Sequence, residues 1–150
     1  MSLIIREIKA KSILTKSGIP GVDYCVNPYV GCSHGCRYCY ATFMKRYTGH
    51  TEAWGSFVDV KIHAPEILQR QLKRASMGRV MISSVTDAYQ PIESKYKLTR
   101  QCLEILLQSQ FPVDILTKSP LVLRDIDLIK KLGLLSFVWV NFHNSSFSIA

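Results

Sequence analysis

Val80-Met-Ile-Ser-Ser-Val85 and Pro112-Val-Asp-Ile-Leu116 are short apolar runs of strand length, and Leu98-Thr-Arg-Gln-Cys-Leu-Glu-Ile-Leu-Leu-Gln108 lies between them. In the intervening stretch Leu98, Cys102, Ile105 and Leu106 recur on one side of a helix. A second helix is predicted from Leu121 to Leu132, beginning after Ser119-Pro120 and ending at Gly133, and Leu134 to Val140 reads as a last strand. Strand and helix alternate, so the expected fold is α/β, with a parallel sheet and right-handed crossovers. In such folds the active site lies at the carboxyl ends of the strands. That rule selects Ser83, Ser84, Thr86 and Asp87 after one strand, and Thr117, Lys118 and Ser119 after the next.

Toward the amino terminus, Phe57-Val-Asp-Val-Lys-Ile62 alternates apolar with charged residues, which predicts a half-buried strand. Ala64 to Arg74 follows as a helix with Ile67, Leu68 and Leu72 on one face, and Tyr40 to Tyr47 reads as helical with a stop at Gly49. Gly18, Pro20 and Gly21 make Ile8 to Asn27 an extended arm with a turn. The organisation is therefore an arm over 1–26, a cysteine loop and helix over 27–50, βα units over 51–133, and a last strand with an atypical tail over 134–150. That tail is unusual, because the nineteen residues from Leu132 to Ala150 contain no Asp, Glu, Lys or Arg, an outcome of about one per cent at ordinary composition. A sheet that curls into a barrel stops unfinished there. The expectation is a truncated or frame-disrupted chain with an apolar edge strand, open to a completing chain or an oligomeric partner.

A chain of 150 residues, 47% hydrophobic and 20% charged, supports one ordinary core and has the composition of a soluble globular domain, not a disordered one. No run approaches the roughly 20 apolar residues of a membrane span, and Met1-Ser-Leu-Ile-Ile-Arg6 meets charge too soon for a secretory signal. The expected location is cytoplasmic, where five cysteines stay reduced and clustered thiols are read as metal ligands before disulfides. The net charge is +8, with seven Lys or Arg against only Glu7 and Asp23 in the first fifty residues. Such a field favours anionic partners, whether nucleic acid, nucleotides or an acidic reductase. No stacked-aromatic platform or helix-turn-helix pattern accompanies it.

The basic end holds Cys32-Ser-His-Gly-Cys36-Arg-Tyr-Cys39, whose CxxxCxxC spacing leaves a metal centre one protein ligand short. Three thiolates on a cubane iron-sulfur cluster leave one iron open, and an open position serves catalysis. Zinc would need a fourth ligand from Cys25, His34 or His50, giving a zinc-stabilised nucleic-acid-binding module. A redox pair at Cys36 and Cys39 would leave Cys32 without a role. The cluster uses all three thiols.

With Tyr38 before the last cysteine, this run resembles the signature of radical S-adenosylmethionine enzymes. Asn27-Pro-Tyr-Val-Gly-Cys-Ser-His-Gly-Cys-Arg-Tyr-Cys-Tyr-Ala41, with Ser83-Ser-Val-Thr-Asp-Ala-Tyr-Gln-Pro91 and Ile115-Leu-Thr-Lys-Ser-Pro120, is similar to the spore photoproduct lyase-like branch, often labelled DNA repair photolyase. The similarity runs from about Asn27 to Gly133. It implies a partial parallel (βα) barrel of the radical SAM type, incomplete at the carboxyl terminus. It also implies a [4Fe-4S] cluster on Cys32, Cys36 and Cys39, with S-adenosylmethionine chelating the fourth iron. An electron from a carrier such as flavodoxin or ferredoxin then cleaves that cofactor to methionine and a 5′-deoxyadenosyl radical, which abstracts hydrogen from a substrate. An inactive iron-sulfur fragment of a longer enzyme is the alternative.

The cofactor offers an ammonium, a carboxylate, a ribose and an adenine, so its pocket needs acceptors, a cation and an apolar slot. Ser84, Thr86 and Asp87 are candidates for the amino group or ribose and Lys118 for the carboxylate, and the family places matching residues at the ends of the second and third barrel strands. The competing roles are a turn or helix cap for Thr86 and Asp87 and a solvated surface lysine for Lys118. Tyr38 and Tyr40 flank Cys39, where the family packs aromatics on the cofactor and a tyrosine relays hydrogen; shielding of the cluster would need only an aromatic. His34 is expected to shape the loop, Cys102 to fill the core, and Cys25 to be a spare thiol. Gly31 and Gly35 fit close backbone approach around the cluster. The lyase itself uses a late cysteine as hydrogen donor, and no cysteine follows Cys102, so thymine-dimer repair is not carried over.

Overall fold

The apolar runs form strands and the amphipathic stretches form helices in a computed structural model that describes residues 2–37, 39–135, 138–142 and 145–148. Strands β1 (Ile4–Ile8), β2 (Leu14–Lys16), β3 (Tyr24–Val26) and β4 (Tyr29–Val30) precede a 3-10 helix over Tyr40–Tyr47. Then come β5 (Phe57–Lys61), α1 (Ala64–Leu72), β6 (Val80–Ile82), α2 (Glu93–Tyr96), α3 (Leu98–Gln108) and β7 (Val113–Leu116). A 3-10 turn over Pro120–Asp125 leads into α4 (Ile126–Leu135), β8 (Val138–Phe142) and β9 (Ser145–Ser148).

The larger sheet has the order β2-β3-β6-β7-β8-β9. The steps β3 to β6, β6 to β7 and β7 to β8 are parallel, while β2 and β9 pair antiparallel at the two sides. The fold is thus a partial parallel (βα) barrel. Val26, Val80, Ile82, Val113 and Ile115 lie on one face of this sheet and meet Leu68 of α1, Cys102, Leu103 and Leu106 of α3, and Ile129 and Leu132 of α4. Burying each such side chain contributes about 1.5–3 kcal/mol, so this shared face fixes the register of the strands.

A smaller sheet, β1-β5-β4, sits apart. Its β5 was expected to be half-buried, yet Phe57, Val58, Asp59 and Val60 are all buried. The reason is its central place. Val58 and Val60 pack with Ile92 and Leu98, while His50 stacks on Phe57 at 4.0 Å and Asp59 is bound by Arg6 and His50 on the other side.

Three further expectations change. The arm over 1–26 contains β1, β2 and β3, and β3 is an inner strand of the large sheet, not a loose extension. Gly133 does not stop the last helix, which runs to Leu135. Leu128, Ile129 and Leu132 anchor the helix on the core just before Gly133, and that packing outweighs the roughly 1 kcal/mol a helical glycine costs. The last strand accordingly begins at Val138 rather than Leu134, and it is not the edge, because β9 pairs with it. Among the described residues no helix is long and apolar enough to cross a membrane.

A buried ionic knot ties the helices to the small sheet. Glu93 accepts from the Tyr29 hydroxyl at 2.6 Å, the Thr99 N–H at 2.8 Å and Arg124 Nη2 at 2.6 Å. Asp125 accepts from Arg124 at 2.7 Å and Arg100 at 2.8 Å. Burial alone would raise the Asp125 pKa, but the two guanidinium groups outweigh it and hold the carboxyl below its ordinary value. A carboxyl depressed in the folded state adds stability above the unfolded value of about 3.9 and loses it as pH falls through the folded value. Urea denaturation between pH 5 and pH 2 is therefore expected to show a shallower acid loss in Asp125→Asn than in the parent, together with lower stability at pH 7. Equal acid slopes would count against the assignment.

Candidate functional site

The carboxyl ends of β6 and β7 and the cysteine loop enclose one cavity of about 260 Å³. Cys32, Cys36 and Cys39 line it, together with Ser83, Ser84, Thr86, Asp87 and Lys118. Tyr40 stands at its margin, 64% exposed. Tyr38 lies outside the described residues. The strand-end rule and the cysteine run, read separately from sequence, thus converge on one place.

The loop is held there by clamps. Gly31 has φ +86°, and a Cβ on it would lie 2.5 Å from the Phe57 carbonyl oxygen and 2.9 Å from its ring. Gly35 faces Gly55, where a Cβ on Gly55 would come within 2.9 Å of the Gly35 Cα. The close approach these glycines permit is thus against β5 and the segment before it, a different surface from the cluster surroundings expected. Thr86 Oγ1 donates to the Gly31 carbonyl at 2.7 Å, and Gln90 Nε2 donates to the same oxygen at 3.1 Å. Gln90 Oε1 accepts the Ser33 N–H at 3.1 Å. Asn27 binds the Ser84 hydroxyl and accepts the Val85 N–H, each at 3.1 Å.

Asp87 is the centre of the wall opposite. Its Oδ1 accepts from the Thr117 hydroxyl at 2.6 Å and the Tyr89 N–H at 2.8 Å; its Oδ2 accepts the Lys118 N–H at 3.1 Å and lies 3.2 Å from His34 Nε2. Burial would raise its pKa, but His34, Thr117 and the two N–H groups prevail and the carboxyl sits below its ordinary value. Asp87 and Thr86, expected to meet a cofactor directly, therefore have their polar atoms engaged within the protein. Ser84 has a hydroxyl proton left to donate, because its recorded bond is as acceptor. Lys118 Nζ reaches Cys36 Sγ at 2.7 Å, so it is no free surface lysine. The hydrogen bond to Cys36 raises its pKa.

To several residues at the site the sequence assigns no individual role. Gln90 is fully buried and organises the loop; its signal was only its place in the run after β6. Asn27 and Thr117 act in the same way. Ser83 leaves β6 with φ +72°, a conformation that costs a non-glycine residue, and its buried hydroxyl has no partner among the described residues while the residue lines the cavity.

The donor set fits an iron-sulfur cluster with a polar ligand beside it. All five cysteines are unpaired, and three share this cavity with a cation and an unsatisfied hydroxyl. Among the described residues no three His, Cys, Asp or Glu side chains converge on a single ion; a cubane asks instead for one thiolate on each of three irons. Zinc fares worse. His50 is committed to Glu52 at 2.9 Å and Asp59 at 2.7 Å, His34 faces Asp87, and Cys25 lines a different cavity. Burial pushes the Cys32 thiol up to about 11, so its ligation would release a proton. Cys102 is buried in the core, as expected.

A sequence model described as the Radical SAM superfamily matches residues 26–147. An uncharacterized protein of Methanocaldococcus jannaschii is 44% identical over 127 residues, covering 85% of this chain and 47% of the relative. An uncharacterized protein of Mycobacterium tuberculosis is 36% identical over 135 residues, covering 85% and 39%. The chain therefore spans less than half the length of these relatives. Among solved structures, a cysteine-to-serine mutant of spore photoproduct lyase superposes with a TM-score of 0.63 at 14% identity, covering 91% of this chain and 39% of that one. Another mutant of that lyase, with bound AdoMet and dinucleoside spore photoproduct, gives 0.60 at 13% identity, covering 87% and 37%.

Gln90→Ala removes the acceptor of the Ser33 N–H and one of two donors to the Gly31 carbonyl. The expected cost is about 1–3 kcal/mol for groups left unpaired. Hydrogen exchange at the Ser33 amide should quicken by about tenfold or more, since each 1.4 kcal/mol is tenfold in an equilibrium. An unchanged rate would show that the clamp does not hold the loop.

Proposed function

The chain belongs to the Radical SAM superfamily, and from that membership we propose that Cys32, Cys36 and Cys39 hold a [4Fe-4S] cluster beside an S-adenosylmethionine site. The observation that carries this reading is the single cavity shared by the three thiols and the polar ends of β6 and β7. When bound, the cluster supplies one electron that cleaves S-adenosylmethionine reductively and yields a 5′-deoxyadenosyl radical for hydrogen abstraction. The protein contributes position, charge and exclusion of water.

Lys118 serves two ends. Its ammonium compensates thiolate charge at Cys36 and pairs with the carboxylate of the methionyl group. Ser84 and the unpartnered Ser83 hydroxyl bind the amino group or ribose. Asp87 acts as a positioning residue: through Thr117 and the Lys118 N–H it sets where the lysine begins, and through His34 it sets the loop that carries the thiols. Thr86 does the same through Gly31. Tyr40 flanks Cys39 at the rim and is the phenol placed to relay hydrogen, with Tyr38 as its sequence neighbour in that role.

The net charge of +8 supports an anionic substrate, nucleic acid among the candidates, and an acidic one-electron donor such as flavodoxin or ferredoxin. A reducing cytoplasm suits five free thiols. The bound AdoMet of the lyase neighbour supports the same cofactor here.

Anaerobic reconstitution tests this directly. The parent chain should take up iron and sulfide, show a paramagnetic signal altered by S-adenosylmethionine, and release 5′-deoxyadenosine under dithionite. Substituting Cys32, Cys36 or Cys39 by Ala should abolish that release, Cys102→Ala should preserve it, and Lys118→Ala should weaken cofactor binding by about tenfold, the scale of one charged hydrogen bond. A loaded cluster without release of 5′-deoxyadenosine, or zinc in place of iron, would overturn the proposal.

A further inference from the structure

A second cavity, of about 410 Å³, adjoins the first and shares Tyr40, Ser84 and Val85 with it. Its size falls in the range of small-molecule sites. Ile13, Thr15, Lys16, Ser17, Cys25, Asn27, Met44 and Lys61 are among the residues around it, drawn from β2, β3, β5, their flanking loops and the 3-10 helix. Its charge is one-sided. Lys16 and Lys61 line it, and among the described residues no Asp or Glu does.

Lys61 is the telling group. It is the last residue of β5, and its backbone N–H is satisfied by the Pro28 carbonyl at 3.0 Å. Its ammonium has no carboxylate partner among the described residues, and burial alone pushes its pKa down. A half-buried lysine that lines a cavity with no described acid is costly unless something anionic enters. Lys16 on β2 stands exposed at the same cavity, and the Ser17 hydroxyl, which accepts the Ile19 N–H, has its proton to donate, while Thr15 Oγ1 is spent on the Cys25 carbonyl. Two lysines with a hydroxyl suit a group with three or more acceptor oxygens around one centre, since an ammonium binds as a point charge, whereas planar carboxylates are better matched by arginine.

We propose that this cavity is the substrate subsite, in which Lys61, assisted by Lys16, holds a phosphate group while Tyr40, Ser84 and Val85 present the rest of the substrate to the cofactor cavity. The orientation rests on the reading under Proposed function; the phosphate site itself stands without it.

The test uses the full chain and two measurements that need no turnover. Isothermal titration with inorganic phosphate should show binding that Lys61→Met weakens by about tenfold or more and Lys61→Arg retains, the scale of a lost charge-assisted contact. Lys130→Met, on the outer helix α4, should leave it unchanged. Acetylation by acetic anhydride, read by mass spectrometry on the parent chain, should be slowed by phosphate at Lys61 and not at Lys130, which covers the case of a variant that does not fold. Acetate binding as tightly as phosphate would overturn the assignment to phosphate. Phosphate affinity within twofold of the parent in a folded Lys61→Met, or acetylation of Lys61 unaffected by phosphate, would overturn the subsite. Either failure leaves cluster loading and 5′-deoxyadenosine release untouched, so it is separable from failure of the proposed chemistry.

Discussion

The site depends on one carboxylate. Asp87 leaves the end of β6 and accepts hydrogen bonds from Tyr89 in its own turn, from Thr117 and Lys118 beyond the end of β7, and faces His34 in the cysteine loop. Three segments far apart in sequence are thus referred to two oxygen atoms. Neighbouring parallel strands fix only their own spacing; the loops that leave them need a separate constraint. A buried carboxylate supplies it because each unmet oxygen would cost more than the bonds return.

A second set of constraints pins the cysteine loop from behind. Gly31 lies so close to Phe57 that no side chain fits between them, and its carbonyl is gripped by Thr86 and Gln90. Phe57 is itself held by His50, whose ring nitrogens are spent on Glu52 and Asp59. Asp59 in turn binds Arg6 of β1. The small sheet therefore acts as an anvil for the loop, and this explains why β5 buries a charged residue at its middle. His50 is a support in this chain, with both ring nitrogens engaged by Glu52 and Asp59.

How far the sequence disclosed this follows from the range of each interaction. Periodicity revealed β6, α3 and β7 because helix and strand formation there is dictated by residues three or four apart, and the alternation of such units implied the parallel sheet. The cysteine spacing and the strand-end rule brought Cys32, Cys36, Cys39, Ser84 and Lys118 to one cavity for the same reason: each depends on local order plus a general topology. What failed depended on distant partners. Nothing near β5 in sequence says that β1 and β4 will flank it, so Asp59 read as a solvated residue. Gly133 read as a stop, yet α4 is anchored on the distant core through Leu128, Ile129 and Leu132 and continues to Leu135. Thr86 and Asp87 follow β6, and their bonds go to Gly31, Thr117 and Lys118, partners that the primary structure does not announce.

The division between the two cavities follows from the same architecture. Every described residue lining the cysteine cavity falls between Cys32 and Lys118, from the cysteine loop, the start of the 3-10 helix and the ends of β6 and β7. The neighbouring cavity draws in addition on β2, β3, β4 and β5, and the two touch through Tyr40, Ser84 and Val85. In the function proposed above, generating a radical and choosing what receives it fall to largely separate residues. A substitution at Lys61 or Lys16 can alter the receiving side without disturbing Asp87 or the thiols, whereas loss of Asp87 shifts Lys118, Thr117 and His34 together. Among the described residues, Tyr40, Ser84 and Val85 line both cavities.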